Sequence, residues 1–197
     1  MNSPVVNSAN VLIGSARLLV APIGTPLPTI VANALVWVAA WKEVGATAKG
    51  TDIAYSPTYA DVKVDESASP IGKILTTEKT VISCSMAEAT LTNLSRAIAA
   101  STFTATPAGA LQCGLEEVDA GSGMAINCMV GLEGIGTKGF ARYIIGYKAL
   151  ASAAVKLAFA RTTQTDIPLS LELLADTTQP LGKQLFKMVD IVAVATA

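Results

Sequence analysis

The ten residues "TDIPLSLELL", 165–174, set Ile167, Leu169, Leu171 and Leu173 at every second position, with Ser170 and Glu172 between them. A period of two sends alternate side chains to opposite faces of an extended chain, so this stretch predicts a strand with one face buried and one wet. The same period recurs elsewhere. "MAINCMVGL" (124–132) aligns Met124, Ile126, Cys128, Val130 and Leu132, and "ARYIIGY" (141–147) aligns Ala141, Tyr143, Ile145 and Tyr147. "FKMVDIVAVA" (186–195) is rich in β-branched residues and predicts a closing strand, and an opening strand is expected over about residues 11–21. The chain is predicted to be mainly β.

One stretch breaks the period. In "SMAEATLTNLSRAIAAS" (85–101), Ala87, Leu91, Leu94 and Ile98 fall at helical spacing. Ser85 with Glu88 three residues later forms a capping box, so a single flanking helix is expected from about Met86 to Ala100. "STFTATPAG" after it supplies turn residues. Asn93-Leu94-Ser95 matches a glycosylation sequon, which on a helix carries no weight.

Composition bounds the rest. The length suits a single domain over residues 1–197. Hydrophobic residues reach 51% and charged residues only 15%, against roughly 25% in ordinary globular chains. Too little charge remains to cover a monomer of this size, so the chain is either membrane-embedded or has much of its surface buried against other copies or other proteins. The longest apolar run, "IVANALVWVAAW" (30–41), is interrupted by Asn33 and falls short of the roughly 20 residues of a spanning helix. No membrane insertion is expected. "MNSPVVNSAN" (1–10) lacks the basic and apolar segments of a signal peptide and is a candidate N-terminal arm. Residues 22–41, a Pro-Gly start with an apolar end, predict either a short buried helix or strand or an arm that packs on a neighbouring subunit. Both tryptophans, Trp37 and Trp41, lie there.

Charge concentrates instead at "YADVKVDESASPIGKIL" (59–75) and just beyond, where Asp61, Lys63, Asp65, Glu66, Lys73, Glu78 and Lys79 cluster. This reads as a hairpin whose turn is "ESASPIG". Asp61, Lys63 and Asp65 are expected on one face of its first strand, with one side of the hairpin packed and the other in water.

Catalytic chemistry is hard to find in the sequence. Histidine is absent, which removes Ser-His-Asp and Cys-His nucleophiles, and most catalytic zinc sites. Glu116, Glu117 and Asp119 beside Gly121 and Gly123 read as a solvated loop. Gly134-Ile135-Gly136-Thr137-Lys138-Gly139 is formally G-x-G-x-x-G, but "FARYIIGY" after it is strand-like, so a turn between strands is expected. Cys84, Cys113 and Cys128 lack metal or disulfide spacing and read as small buried hydrophobes. No catalytic, cofactor-binding or metal residue is assigned. A net charge of −1 argues against nucleic-acid binding.

The order of elements resembles the major tail tube proteins of long-tailed bacteriophages. "WKEVGATAKGTDIAYS" (41–56), "ISCSMAEATLTNLSRAI" (82–98), "MVGLEGIGTKGFARYIIGYKA" (129–149) and "IPLSLELLADTTQPLGKQLFKMVD" (167–190) carry the resemblance. It implies a β-sandwich or barrel-like fold with one flanking helix. It also implies six copies to a ring, and rings stacked into a hollow tube that carries the genome into the host. The partners implied are the chain itself, a tape measure and a tail terminator, in the virion after assembly in the host cytoplasm. Four inner strands per subunit would make a wall roughly 150 Å around, with a bore of roughly 35–40 Å. In such a lumen DNA passes without specific binding, because mixed charge avoids a basic surface. Asp61, Lys63, Asp65 and Lys79 are the expected lumen residues. Glu66, Ser67, Ser69 and Pro70 are expected at ring-to-ring contacts, and Trp37 and Trp41 between subunits. Rival readings are a secreted adhesin or pilin-like subunit, a carboxylate enzyme, and a tube protein of a contractile tail or type VI secretion system.

Overall fold

Extended structure dominates the residues that the computed structural model describes, which are 14–192 apart from 32–33, 110–113, 122–124, 126, 137–138, 160 and 163. In chain order the strands are β1 (Arg17–Pro22), β2 (Thr29–Val31), β3 (Ala34–Val36), β4 (Lys42–Glu43), β5 (Thr47–Val62) and β6 (Gly72–Met86). The helix α1 (Leu91–Ala97) follows. Then come β7 (Ser101–Thr106), β8 (Leu115–Ala120), β9 (Cys128–Ile135), β10 (Ala141–Ala151), β11 (Ile167–Leu173) and β12 (Phe186–Asp190). The fold is mainly β with one helix, as the two-residue period predicted.

Eight strands form one antiparallel sheet in the order β4-β1-β9-β10-β11-β6-β5, with β12 also paired to β10. The pivot is β10. β9 lies along one side of it, with a register shift between Gly146 and Ala149; on the other side residues 142–146 pair with β12 and residues 149–151 with β11. Such an irregularity bends a strand and lets it serve two layers. The β1-β9-β10 layer therefore faces the β6-β11 layer, and Leu18, Val130, Leu132 and Ile144 pack with Ile82, Met86, Leu169 and Leu171 in one sandwich core. Gly146 faces this core. A Cβ there would lie 2.6 Å from Leu173 Cδ2 and 2.7 Å from Val130 Cγ1, so only glycine lets the layers approach this closely.

β11 behaves as predicted, with Ile167, Leu169, Leu171 and Leu173 buried and the residues between them half-buried. β9 and β10 do not, because both of their faces are covered. Leu19, Met129, Tyr143, Ile145 and Tyr147 form a second cluster behind the sheet, capped by Trp41 and the half-buried Trp37. The predicted bounds also shift. The opening strand starts at Arg17, and residues 11–13 lie outside the described residues, as do Met124 and Ile126. The closing strand ends at Asp190, and the final residues of its predicted run lie outside the described residues too.

Cross-strand partners Arg142 and Asp190 pin β12 to β10, Arg142 Nε and Nη2 donating to the two carboxylate oxygens at 2.5 and 2.6 Å. These bonds hold the Asp190 carboxyl below its ordinary range. A depressed folded-state pKa contributes stability above the unfolded value, about 3.9, and loses it as pH falls through the folded value. Thermal midpoints taken between about pH 5 and pH 2 should therefore fall less steeply in Asp190→Asn than in the unsubstituted chain. Equal slopes would remove this pair from the acid response.

The helix is shorter than predicted and capped differently. Ser85 and Met86 are still in the sheet, paired with Pro168 and Ile167. Glu88, expected to close a capping box, instead accepts from the Ala46 amide at 2.9 Å. The cap is Thr90, whose Oγ1 accepts from Asn93 N. Asn93 is 3% exposed, and its Nδ2 donates to Val44 O and Glu88 O, stapling α1 to the chain beside β4. The predicted turn after the helix is a correction too. Residues 101–106 are β7, paired with β8 in a separate two-stranded ribbon.

Candidate assembly surfaces

The charged hairpin is β5 and β6, paired from Thr47↔Met86 to Val62↔Gly72. Its base is packed: Ile53 and Ile82 pair across the strands and reach the main core. Tyr55 there donates to Glu78 at 2.7 Å and meets the edge of Phe186 at 6.5 Å. Its outer half is not packed on one side as predicted. From Gly72 to Lys79 every residue of β6 is exposed, so both faces of the ribbon project from the sheet. Tyr59, Ile71, Ile74 and Leu75 stand 43–62% exposed on this projection. A buried partner is the ordinary explanation for aliphatic side chains held out in this way.

The predicted charge set divides. Asp61 lies in β5, but Lys63 and Asp65 lie beyond its end, in the turn, and so do not extend its face. Lys79 sits opposite Ser56, and alternation along β5 puts Asp61 on the other face of the ribbon. Asp61 is 3.7 Å from Lys73 Nζ, and Lys79 Nζ is 3.0 Å from Glu172 on β11. Glu66, Ser67, Ser69 and Pro70 are together at the exposed tip, where Ser67 N donates to Val64 O and Ser67 Oγ to Ser69 O.

β5 is an edge of the sheet. Its free side is interrupted by Gly50, at φ 80° beside a register shift, and by Pro57, which has no N–H to offer. Residues 51–56 between them form an unbroken run able to pair with another strand.

The described residues of 22–41 are not a buried helix or strand. They fold as the small β2–β3 hairpin laid over the back of the sheet. Trp37 and Trp41 are its pins, edge to face at 4.9 Å. Trp37 Nε1 donates to Glu133 at 2.7 Å, and Trp41 Nε1 to Pro26 O at 3.0 Å. Trp41 is 5% exposed, so its indole is spent within its own chain and offers a neighbour little surface. The exposed large apolar groups of 22–41 are Ile23, Leu27, Ile30, Val31, Val36 and Val38, in a stretch from 18 to 41 with no charged residue.

The remaining predicted residues find simpler places. Glu116, Glu117 and Asp119 are exposed on β8, a strand and not a loop. Gly134 and Gly136 flank the end of β9, and Gly136 N donates to Phe140 O in the link to β10. Cys84 and Cys128 are half-buried free thiols, and burial pushes both up to about 11. Cys113 lies outside the described residues. Sequence reading missed Asn93 and Glu133, two polar side chains whose roles depend on distant partners. Among the described residues, no helix is long and apolar enough to cross a membrane.

A sandwich whose edge, hairpin and strap all hold out apolar side chains defines a subunit made to be covered by other chains. The family model for phage tail tube proteins matches residues 4–195. The chain belongs to that family, a structural component of the phage tail, and this displaces the adhesin reading. No curated protein matches it.

Proposed function

We propose that six copies close into a ring, that rings stack into the hollow tail tube of a long-tailed phage, and that the genome passes through it into the host. The observation that carries this reading is the β5–β6 hairpin, exposed on both faces and lined with aliphatic groups beyond the sheet. A ring subunit needs unlike faces to its two neighbours, and stacking adds two more. The free run at residues 51–56 suits pairing with the next subunit's sheet, giving one continuous inner barrel. The face of β5, β6 and β11 that carries Asp52, Ser83, Ser170 and the Lys79–Glu172 pair sets mixed charge around Ala54 and Val81 with no excess of basic residues, as a wall that must not retain DNA requires.

In this reading Lys79 lines the lumen wall, and Asp61 on the other face of the projecting ribbon, with Lys63 and Asp65 in its turn, borders the lumen where the hairpin reaches toward the next ring. Glu66, Ser67, Ser69 and Pro70 meet that ring, while the strap over Trp37 and Trp41 meets a lateral neighbour. The tape measure and tail terminator are the further partners. Negative-stain electron microscopy of the purified protein should show hollow tubes or six-fold rings; a compact monomer at high concentration would overturn the reading. In phage, Asp61→Lys combined with Asp65→Lys should slow DNA ejection while tubes still form. Ejection at the unsubstituted rate would take both residues out of the lumen.

A further inference from the structure

Charge is segregated along the second half of this chain. Residues 97–137 contain Glu116, Glu117, Asp119 and Glu133 and no basic residue, whereas residues 134–165 contain five basic residues and no acidic one. Some of this is satisfied internally: Glu133 takes bonds from Arg17 and Trp37, and Arg142 binds Asp190. Two clusters form no ion pair among the described residues. The first is on the β7–β8 ribbon, where alternation puts Leu115, Glu117 and Asp119 on one face, all exposed. The second is the segment after β10, where exposed Lys156 and Arg161 flank Phe159, which is 89% exposed. Each cluster is one large apolar side chain with two like charges, and the signs are opposite.

We propose that the acidic face of β7–β8 on one subunit docks on the Phe159 loop of a neighbouring copy. This rests on the assembly reading above and names one of its lateral contacts. Both clusters are carried by α1: β7 and β8 touch it, and Val155 and Leu157 line a groove beside its Leu94 and Ala97. A ring built from one chain needs two unlike, complementary patches on every copy, and these two are unlike and complementary. Phe159 against Leu115 supplies the desolvated anchor, and Lys156 and Arg161 against Glu117 and Asp119 fix orientation.

The test reverses charge on each side. Glu117→Lys with Asp119→Lys, and separately Lys156→Glu with Arg161→Glu, should each raise the concentration needed for assembly about tenfold or more, and the fourfold variant should recover it. Assembly of either double variant at the unsubstituted concentration overturns this contact and leaves the tube reading standing. Failure of the fourfold variant to recover overturns it as well. An unsubstituted protein that never assembles would instead sink the tube reading itself. Should circular dichroism show a variant unfolded, the unsubstituted protein decides, through carbodiimide coupling in assemblies mixed from ¹⁴N- and ¹⁵N-labelled chains. Mixed-isotope peptides joining Lys156 to Glu117 or Asp119 support the contact, and links absent or confined to one isotope overturn it.

Discussion

Leu171→Ala is expected to lower the unfolding free energy by about 2–5 kcal/mol, the range for removing a leucine side chain from a packed core. Leu171 is 2% exposed and sits where the two layers join, opposite Ile82 on β6 and Ala151 on β10. Both of those strands depend on β11 for their connection, since β10 reaches β11 only through residues 149–151. A cavity there cannot collapse without moving β6, which carries the projecting hairpin. The loss should lower the thermal midpoint by roughly 5–15 °C for a chain of this size. Leu181→Ala is the matched control. Leu181 is 90% exposed, and its truncation should change stability by less than about 0.5 kcal/mol. Equal midpoints for the two variants would mean that the sandwich core does not close at β11.

Residues with a single dominant environment were legible in the sequence, and those given meaning by a distant segment were not. β11 was readable because one face meets the core and the other is left half-buried, so its alternation records its surroundings directly. Tyr143, Ile145 and Tyr147 were correctly aligned, yet the sequence could not show that both faces of β10 are buried: Ile144 faces the sandwich core, while the strap that covers Tyr143, Ile145 and Tyr147 comes from residues 22–41. The helix cap was misread for a similar reason. Gly45, at φ 84°, turns the chain so that the Ala46 amide reaches Glu88, and the local capping box loses its acid to a partner 42 positions away. β7 was missed because the Pro107-Ala108-Gly109 that follows reads as a turn and outweighed the strand preference of Thr102, Phe103 and Thr104, which only pairing with β8 makes decisive. On the candidate site, clustering of charge correctly marked a hairpin. The assignment of one face failed because β5 ends at Val62 and because Asp61 and Lys79 fall on opposite sides of the ribbon.

Gly131→Val should disturb the strap that carries the chain's charge-free exposed surface. Gly131 lies on β9 beneath both indoles, and a Cβ there would stand 2.6 Å from two ring atoms of Trp37 and 3.0 Å from one of Trp41. A glycine is therefore required for seating, since its own neighbours on that face, Met129 and Glu133, leave the rings no other flat ground. Adding a β-branched side chain must lift at least Trp37, which breaks its 2.7 Å bond to Glu133 and the edge-to-face pair with Trp41. Overpacking of this kind costs about 1–3 kcal/mol, and a half-buried Glu133 that loses the indole donor adds to it. The readout is direct, because the chain contains no other tryptophan. Emission should shift to the red as the indoles meet water, and the near-ultraviolet dichroism of the ring pair should fall. Since Ile30, Val31 and Val36 ride on the same strap, assembly should weaken more than the stability loss alone accounts for. Gly131→Ala should give the same changes at smaller amplitude. Unshifted emission in Gly131→Val would show that the indoles do not rest on β9. Shifted emission with assembly unchanged would show that the strap is packing for its own sheet and not a face offered to a neighbour.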